Sequence, residues 1–267
     1  DVMSRYRVRI VGRGERTMLF AHGFATDQRI WRLLSPQFES EYRVVLFDYL
    51  GAGKSDLDAY GLRRYESLDG YASDVLELCE ALELRDAILV AHSVSGMVGV
   101  LAANREPSRF SDLILIGPSP RYLNDAGYTG GFERAEVDQM LQTMEQDYAG
   151  WALFLAPRVT RNADRPWLAF EVEQSFRDTN PGIARHLAQV DQAHARLGEL
   201  GLQPRKVARQ HGGGLQLAPL GEQDEAHRLG QAAHLEPLVG VAQRLLGLTP
   251  RRRVAVAQLA HVAQARH

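Results

Sequence analysis

An α/β domain built on a mostly parallel sheet is predicted for this chain by two patterns. Short apolar runs rich in β-branched residues, at 43–47, 88–91 and 113–116, recur with helical periodicity between them, as βαβ units require. These runs are apolar throughout rather than alternating, as strands of a sheet covered on both faces must be. The 267 residues suffice for one large α/β domain. A net charge of −2 offers no field for nucleic acid or a membrane surface, so neither is expected as a partner. No apolar run approaches the ~20 residues a bilayer-spanning helix needs, and no signal-peptide pattern opens the chain. Cys79 is the single cysteine. It excludes an intrachain disulfide, fits a reducing, cytoplasmic compartment, and in its helical setting reads as a core residue.

Taken in order, residues 5–11 alternate polar and apolar and predict a half-buried strand. Gly12-Arg13-Gly14-Glu15 predicts a hairpin turn, and residues 17–21 a second strand ending at His22-Gly23-Phe24. Residues 30–38 predict a helix and 43–47 a buried strand. Gly51-Ala52-Gly53-Lys54-Ser55 looks like a phosphate loop, but that loop needs a glycine five positions before Gly53, where Asp48 stands. Residues 68–82 predict an amphipathic helix through Leu68, Tyr71, Ala72, Val75, Leu76, Leu78, Cys79 and Leu82.

The chain then turns on Ile88-Leu89-Val90-Ala91-His92-Ser93-Val94-Ser95-Gly96-Met97, a strand, a sharp turn and a helix running to Asn104. In a nucleophile elbow the serine occupies a strained strand-to-helix turn, so the residues two positions either side must be small. The usual G-x-S-x-G reads Ala91-His92-Ser93-Val94-Ser95 here, with the next smallest residues in the glycine places. A lone serine after a strand would ordinarily be a helix N-cap. As a nucleophile it needs an oxyanion hole, and elbow enzymes take one donor from the residue after the serine and the other from the loop after an early strand. Val94 and Phe24 are the expected donors. The ring of His22 reads as structural.

Residues 119–190 change character. Helical patterns at roughly 132–156, 166–178 and 181–190, with no strand, predict a helical insertion. As a cap over an active site it would line an apolar pocket with Phe132, Trp151 and Phe154; as ordinary helices it would simply pack them. The expected organisation is residues 1–118 as the N-terminal part of the core, 119–190 as the cap and 191–267 as an atypical C-terminal segment.

Several stretches together resemble one subfamily. They are Phe20-Ala21-His22-Gly23-Phe24, Leu46-Phe47-Asp48-Tyr49-Leu50-Gly51-Ala52-Gly53-Lys54-Ser55-Asp56, Tyr65-Glu66-Ser67-Leu68-Asp69-Gly70-Tyr71-Ala72 and the elbow itself. Gly117-Pro118-Ser119-Pro120-Arg121-Tyr122-Leu123-Asn124-Asp125 and Gly130-Gly131-Phe132-Glu133 belong with them. The group is the RsbQ-type α/β-hydrolases of bacterial stress signalling, whose relatives include the plant strigolactone and karrikin receptors. Over residues 5–188 the resemblance implies an α/β-hydrolase fold with a four-helix cap, Ser93 as nucleophile and a small apolar ester, lactone or similar ligand. It also implies a signalling role read by a protein partner. No cofactor and no metal is called for.

The resemblance stops near residue 190. The family's acid follows a seventh strand in a paired Asp motif and its histidine an eighth strand in a Gly-His motif, and neither stretch is found. Residues 191–267 contain no Phe, Trp, Tyr, Ile, Met, Cys, Ser or Asn, types that make up roughly a quarter to a third of ordinary chains. Their 10 Lys+Arg against 6 Asp+Glu give +4 in a chain of −2 overall. Helical patterns at about 235–247 and 252–265 and no convincing strand are expected there. This composition predicts that the segment is read out of frame from a GC-rich gene, the rival being a genuinely diverged C-terminus. The expected function is a serine hydrolase; the other class is a non-catalytic receptor or an inactive hydrolase lacking its acid and base. Asp125 is a candidate relocated acid, and His211, His227 and His234 have no motif behind them.

Overall fold

The computed structural model describes residues 1–119, 122–124, 126 and 130–193, together with the backbone of 216–218 and 253–257. The elements in chain order are α1 (Val2–Arg5), β1 (Arg9–Val11), β2 (Thr17–Ala21), β3 (Arg43–Leu46), α2 (Leu68–Ala81), β4 (Ala87–His92), α3 (Val94–Arg105) and β5 (Phe110–Ile116). They continue with α4 (Arg134–Gln146), α5 (Tyr148–Thr160), α6 (Pro166–Asp178), α7 (Pro181–Ala193), β6 (Gln216–Ala218) and β7 (Arg253–Ala257). The strands form one sheet in the order β1-β3-β2-β4-β5-β7-β6, parallel except where β1 meets β3.

Register places one apolar row on each face, because successive side chains of a strand point to opposite sides. Leu19 lies opposite Val45 and Leu89, and Leu89 opposite Leu113; this row packs with Val75, Leu78, Val98 and Leu101 from α2 and α3. The next row, Phe20, Leu46, Val90 and Ile114, faces the other way onto Trp31, Leu34 and Phe38. Both faces are covered, which is why the strands carry no polar alternation. Cys79 is fully buried in α2, and burial pushes its thiol up to about 12.

Three expectations are corrected here. The strand expected over 5–11 is confined to Arg9–Val11, because Val2–Arg5 form a helical turn capped by the Asp1 carboxylate, with Tyr6 buried behind it. Residues 12–15 make no hairpin: β1 and β2 both flank β3, and Gly12 and Gly14 run so close to the backbone of Glu39–Tyr42 that a Cβ on Gly12 would sit 2.2 Å from the Tyr42 carbonyl oxygen. Over 30–38 there are two 3₁₀ turns, Gln28–Trp31 and Ser35–Gln37, the second with Pro36 in its first turn.

The insertion holds four helices. The single helix read over 132–156 is two, divided at Asp147, which leaves the helical region (φ −148°) and caps α5 by accepting from the Gly150 amide at 2.8 Å. Trp151, Phe176, Met144 and four alanines form the core of this layer and pack onto Ala25 and Phe24 of the main domain. A strap of polar contacts reinforces the seam. Arg29 bridges Asp27 and Asp178, each at 2.6 Å, Arg32 pairs with Glu171 and lies over the Trp167 ring, and Thr179 Oγ1 donates to the Ala25 carbonyl at 3.1 Å. Exposed pairs of this kind contribute about 0–1 kcal/mol each, so the buried apolar seam does most of the holding.

Strand β7 seats parallel on β5, Leu113 opposite Val254 and Leu115 opposite Val256. This overturns the expectation of no strand in the C-terminal segment and of a helix beginning at 252. Val254 and Val256 alternate as β-branched residues, which suits a pleated strand better than a helix. The expected helix at 235–247, Asp125, His211, His227 and His234 lie outside the described residues.

Candidate active site

Ser93 sits between β4 and α3 with φ 57° and ψ −126°, a backbone conformation that non-glycine residues rarely adopt. Its amide donates to the Ile116 carbonyl at 2.8 Å, tying the turn to the end of β5. Two glycines just beyond the motif keep α3 close to its neighbours. A Cβ on Gly96 would lie 2.7 Å from Pro118 Cβ, and one on Gly99 2.8 Å from Leu89 Cδ2, so α3 packs against the sheet with no space to spare. Val94 opens α3, and its amide is among the helix-end N–H groups that the helix itself leaves without an acceptor.

The loop after β2 is pressed against this turn. A Cβ on Gly23 would sit 2.6 Å from His92 Nδ1 and 3.2 Å from Ser93 Cβ, so the backbone at Gly23 lies against the serine turn. Ser95 is fully buried and does more than stay small. Its Oγ has one proton, and the His22 carbonyl, which can only accept, takes it; the Tyr49 hydroxyl, 3.1 Å away, therefore donates to Ser95. A serine in the usual glycine place thus ties the β2 loop to α3.

His22 is structural, as its sequence setting suggests. The Tyr49 amide donates to its Nε2 at 3.1 Å, so Nδ1 carries the hydrogen and donates to the Gly23 carbonyl at 3.0 Å. Burial holds its pKa below the ordinary imidazole value, against the pull of the Asp48 carboxylate. Both nitrogens are committed, so His22 is not available as a base. His186 lies on α7 with Nδ1 2.8 Å from the Tyr60 hydroxyl, and the His92 ring meets Trp31 edge-on among the residues of the opposite sheet face. No histidine among the described residues is placed as a partner of Ser93.

The loop that looks like a phosphate cradle is closed by its own carboxylate. Asp48 accepts from the Lys54 amide at 3.1 Å and the Gln28 amide at 2.9 Å, and Gly53, at φ 56°, passes so close that a Cβ would lie 2.5 Å from Asp48 Oδ2. The aspartate that breaks the motif in sequence fills the space a phosphate would take.

The three aromatics expected around a pocket part company. Trp151 is buried, edge-on to the Phe24 ring at 6.0 Å, and its Nε1 has no hydrogen-bond partner among the described residues. Phe132 is 40 % exposed and bridges Leu123 through its backbone. Phe154 is not brought to the site. It is 57 % exposed with the Arg158 guanidinium over its ring, because α5 carries apolar residues on more than its inner face. A narrow apolar pocket does open beside Val94 and Gly23, walled by Leu50, Gly51 and Ala52 on one side and Ile183, Ala184 and Leu187 of α7 on the other.

Sequence reasoning missed one contact altogether: the Tyr122 hydroxyl stands 3.3 Å from Ser93 Oγ. The motif containing it carries the resemblance, but nothing local says that its ring folds back over the elbow.

Comparison with known proteins bears on the fold and the family. The family described as alpha/beta hydrolase fold matches residues 16–210. The chain is 41% identical over 184 residues to strigolactone esterase D14 of Arabidopsis thaliana, covering 69% of this chain and 68% of that one. It is 46% identical over 183 residues to karrikin insensitive 2 receptor B of Petunia hybrida, covering 68% and 67%. Among solved structures, a hydrolase from Oleispira antarctica is 40% identical with a TM-score of 0.70, over 72% of this chain and 70% of that one.

Proposed function

The chain belongs to the alpha/beta hydrolase fold family, and from that premise we propose that it is a serine hydrolase taking a small apolar ester or lactone, working in ligand signalling with a protein partner in the cytoplasm. The observation that carries the reading is Ser93 at its strained turn, pressed against the Gly23–Phe24 loop. Ser93 Oγ attacks the carbonyl, the amides of Val94 and Phe24 hold the developing oxyanion, and the alcohol leaves an acyl-enzyme that water cleaves. The narrow pocket beside Val94 supports a small apolar acyl group. The relatives named an esterase and a receptor support the signalling setting.

A second reading is favoured by one observation: no histidine among the described residues is placed to take the proton of Ser93. A serine without its base keeps only about 10³–10⁴-fold catalysis over water from the oxyanion hole and binding. The chain would then be acylated once and act as a receptor. Incubation with a fluorophosphonate and with p-nitrophenyl acetate separates the two. One label per chain with steady turnover is the expected result, one label with a single burst moves the receptor reading forward, and no label on Ser93 overturns the hydrolase reading.

We further propose that residues 191–267 are an out-of-frame segment. The composition break near residue 190 and the absent acid and histidine motifs support this. Translating codons 180–267 in the other frames is expected to give a β-branched strand, a paired Asp motif and a Gly-His motif. If only the present frame is open, the segment is genuine.

A further inference from the structure

The stretch from Gly117 to Glu133 carries much of the resemblance, yet the serine chemistry above uses none of it. Its described residues form a clip. Phe132 donates its amide to the Tyr122 carbonyl at 3.0 Å, and Asn124 donates back to the Phe132 carbonyl at 2.8 Å. Asn124 Oδ1 accepts from the Gly130 and Gly131 amides at 2.9 and 2.8 Å, while its Nδ2 donates to Glu133 at 2.7 Å. Gly130 lies so close that a Cβ would meet the Leu123 oxygen at 2.4 Å and the Tyr122 carbonyl at 2.6 Å; Gly131 needs φ 114°. Every bond of the clip holds the backbone at Tyr122 or on its C-terminal side. What it presents is one phenol, 3.3 Å from Ser93 Oγ.

We propose that Tyr122 is a catalytic residue of this site, its phenol donating a hydrogen bond to Ser93 Oγ as that oxygen gains negative charge. At 3.3 Å the contact is longer than the roughly 2.7–2.8 Å of a good O–H···O bond, so it stabilises the resting hydroxyl little. Bonds to ionised oxygens are shorter and about twice as strong. The interaction therefore strengthens as Oγ is deprotonated for attack, and again as Oγ receives the electron pair of the breaking C–O bond on deacylation. Stabilisation that grows toward the transition state is what accelerates a step. Tyr122 transfers no proton in either step; the phenol keeps its hydrogen throughout. The same oxygen lies outside the oxyanion hole, whose amides serve the carbonyl oxygen.

The proposal rests on Ser93 being the nucleophile, and the test keeps the two apart. Fluorophosphonate labelling rates are measured for the full chain, Tyr122→Phe, Gly130→Ala and the double variant, with a thermal melt of each. Tyr122→Phe keeps the ring and is expected to label about 10- to 100-fold more slowly, with its pH profile displaced upward and its melting temperature unchanged. Gly130→Ala keeps the phenol but displaces it, and is expected to slow labelling alone while adding nothing in the double variant. If Tyr122→Phe fails to fold, Gly130→Ala decides. Labelling of the wild type with both single variants at its rate overturns the role of Tyr122 alone. A wild type that does not label removes the nucleophile and this proposal together.

Discussion

Alanine at position 23 is expected to slow the acylation of Ser93 by about 100-fold, the scale on which a displacement of about 1 Å costs a site its geometry. The new Cβ would meet His92 Nδ1 at 2.6 Å, His92 Cε1 at 3.2 Å and Ser93 Cβ at 3.2 Å, so loop and elbow must part. The loop has little freedom to absorb the change. His22 is held at both ring nitrogens and Ser95 holds its carbonyl, while Phe24 is held by Trp151. Movement is therefore forced onto the Phe24 amide, the group proposed to hold the oxyanion. The fluorophosphonate labelling rate, read beside a thermal melt, checks this. Labelling of Gly23→Ala at the wild-type rate would mean that the loop does not serve the reaction.

The largest expected loss of stability comes from Asp74→Ala. Asp74 is fully buried in α2, and its carboxylate accepts from Arg64 at 2.6 Å, Tyr65 at 2.9 Å and Tyr6 at 3.0 Å. Removing one partner of such a cluster costs about 3–5 kcal/mol, because the others stay behind desolvated. At about 2–4 °C per kcal/mol for a domain of this size, the melting temperature should fall by on the order of 10 °C. The cluster also sets a pH dependence. Burial outweighs the Arg64 attraction and pushes the Asp74 pKa up to about 6. The folded state thus holds a proton that the unfolded chain, with a carboxyl near 3.9, has released. That contribution is full below about pH 4 and is lost as pH rises through about 6. His22 acts in the opposite sense: its lowered pKa contributes stability above about pH 6.5, which is lost as pH falls. Melting curves from pH 4 to 7 should show the acidic-side contribution in the wild type and not in Asp74→Ala. A melting temperature within about 2 °C of wild type would refute the account.

Much of the scaffold was legible because its signals are local. The runs at 88–91 and 113–116 are apolar without alternation, and β4 and β5 lie there. The 3.6-residue spacing from Leu68 marks α2 to within a residue. The elbow was legible because its steric demand is written within five residues. Pairing partners were not: nothing in residues 5–21 says that β1 crosses to the far side of β3. Tyr122 was hidden for the same reason, since its approach to Ser93 spans 29 residues and is set by a clip closed at Gly130. Phe154 was misread because an aromatic on a cap helix looks alike in sequence whether it faces in or out. Ser95 was legible as a small residue but not as the tie between the β2 loop and α3.

Strand β5 addresses its outer neighbour through its backbone, Asp112–Ile116 against Arg253–Ala257. Main-chain hydrogen bonding reads no side-chain identity, so that margin of the sheet is a socket rather than a lock, and an alternating Val-Ala run is enough to plug it. The backbone that shapes the Ser93 turn, from the β2 loop to the Tyr122 clip, is complete by Glu133, upstream of the strand that fills the socket. A graft, or a complementing fragment added as a separate chain, would have to bring a strand to dock, a base to reach Ser93 and an acid to orient that base.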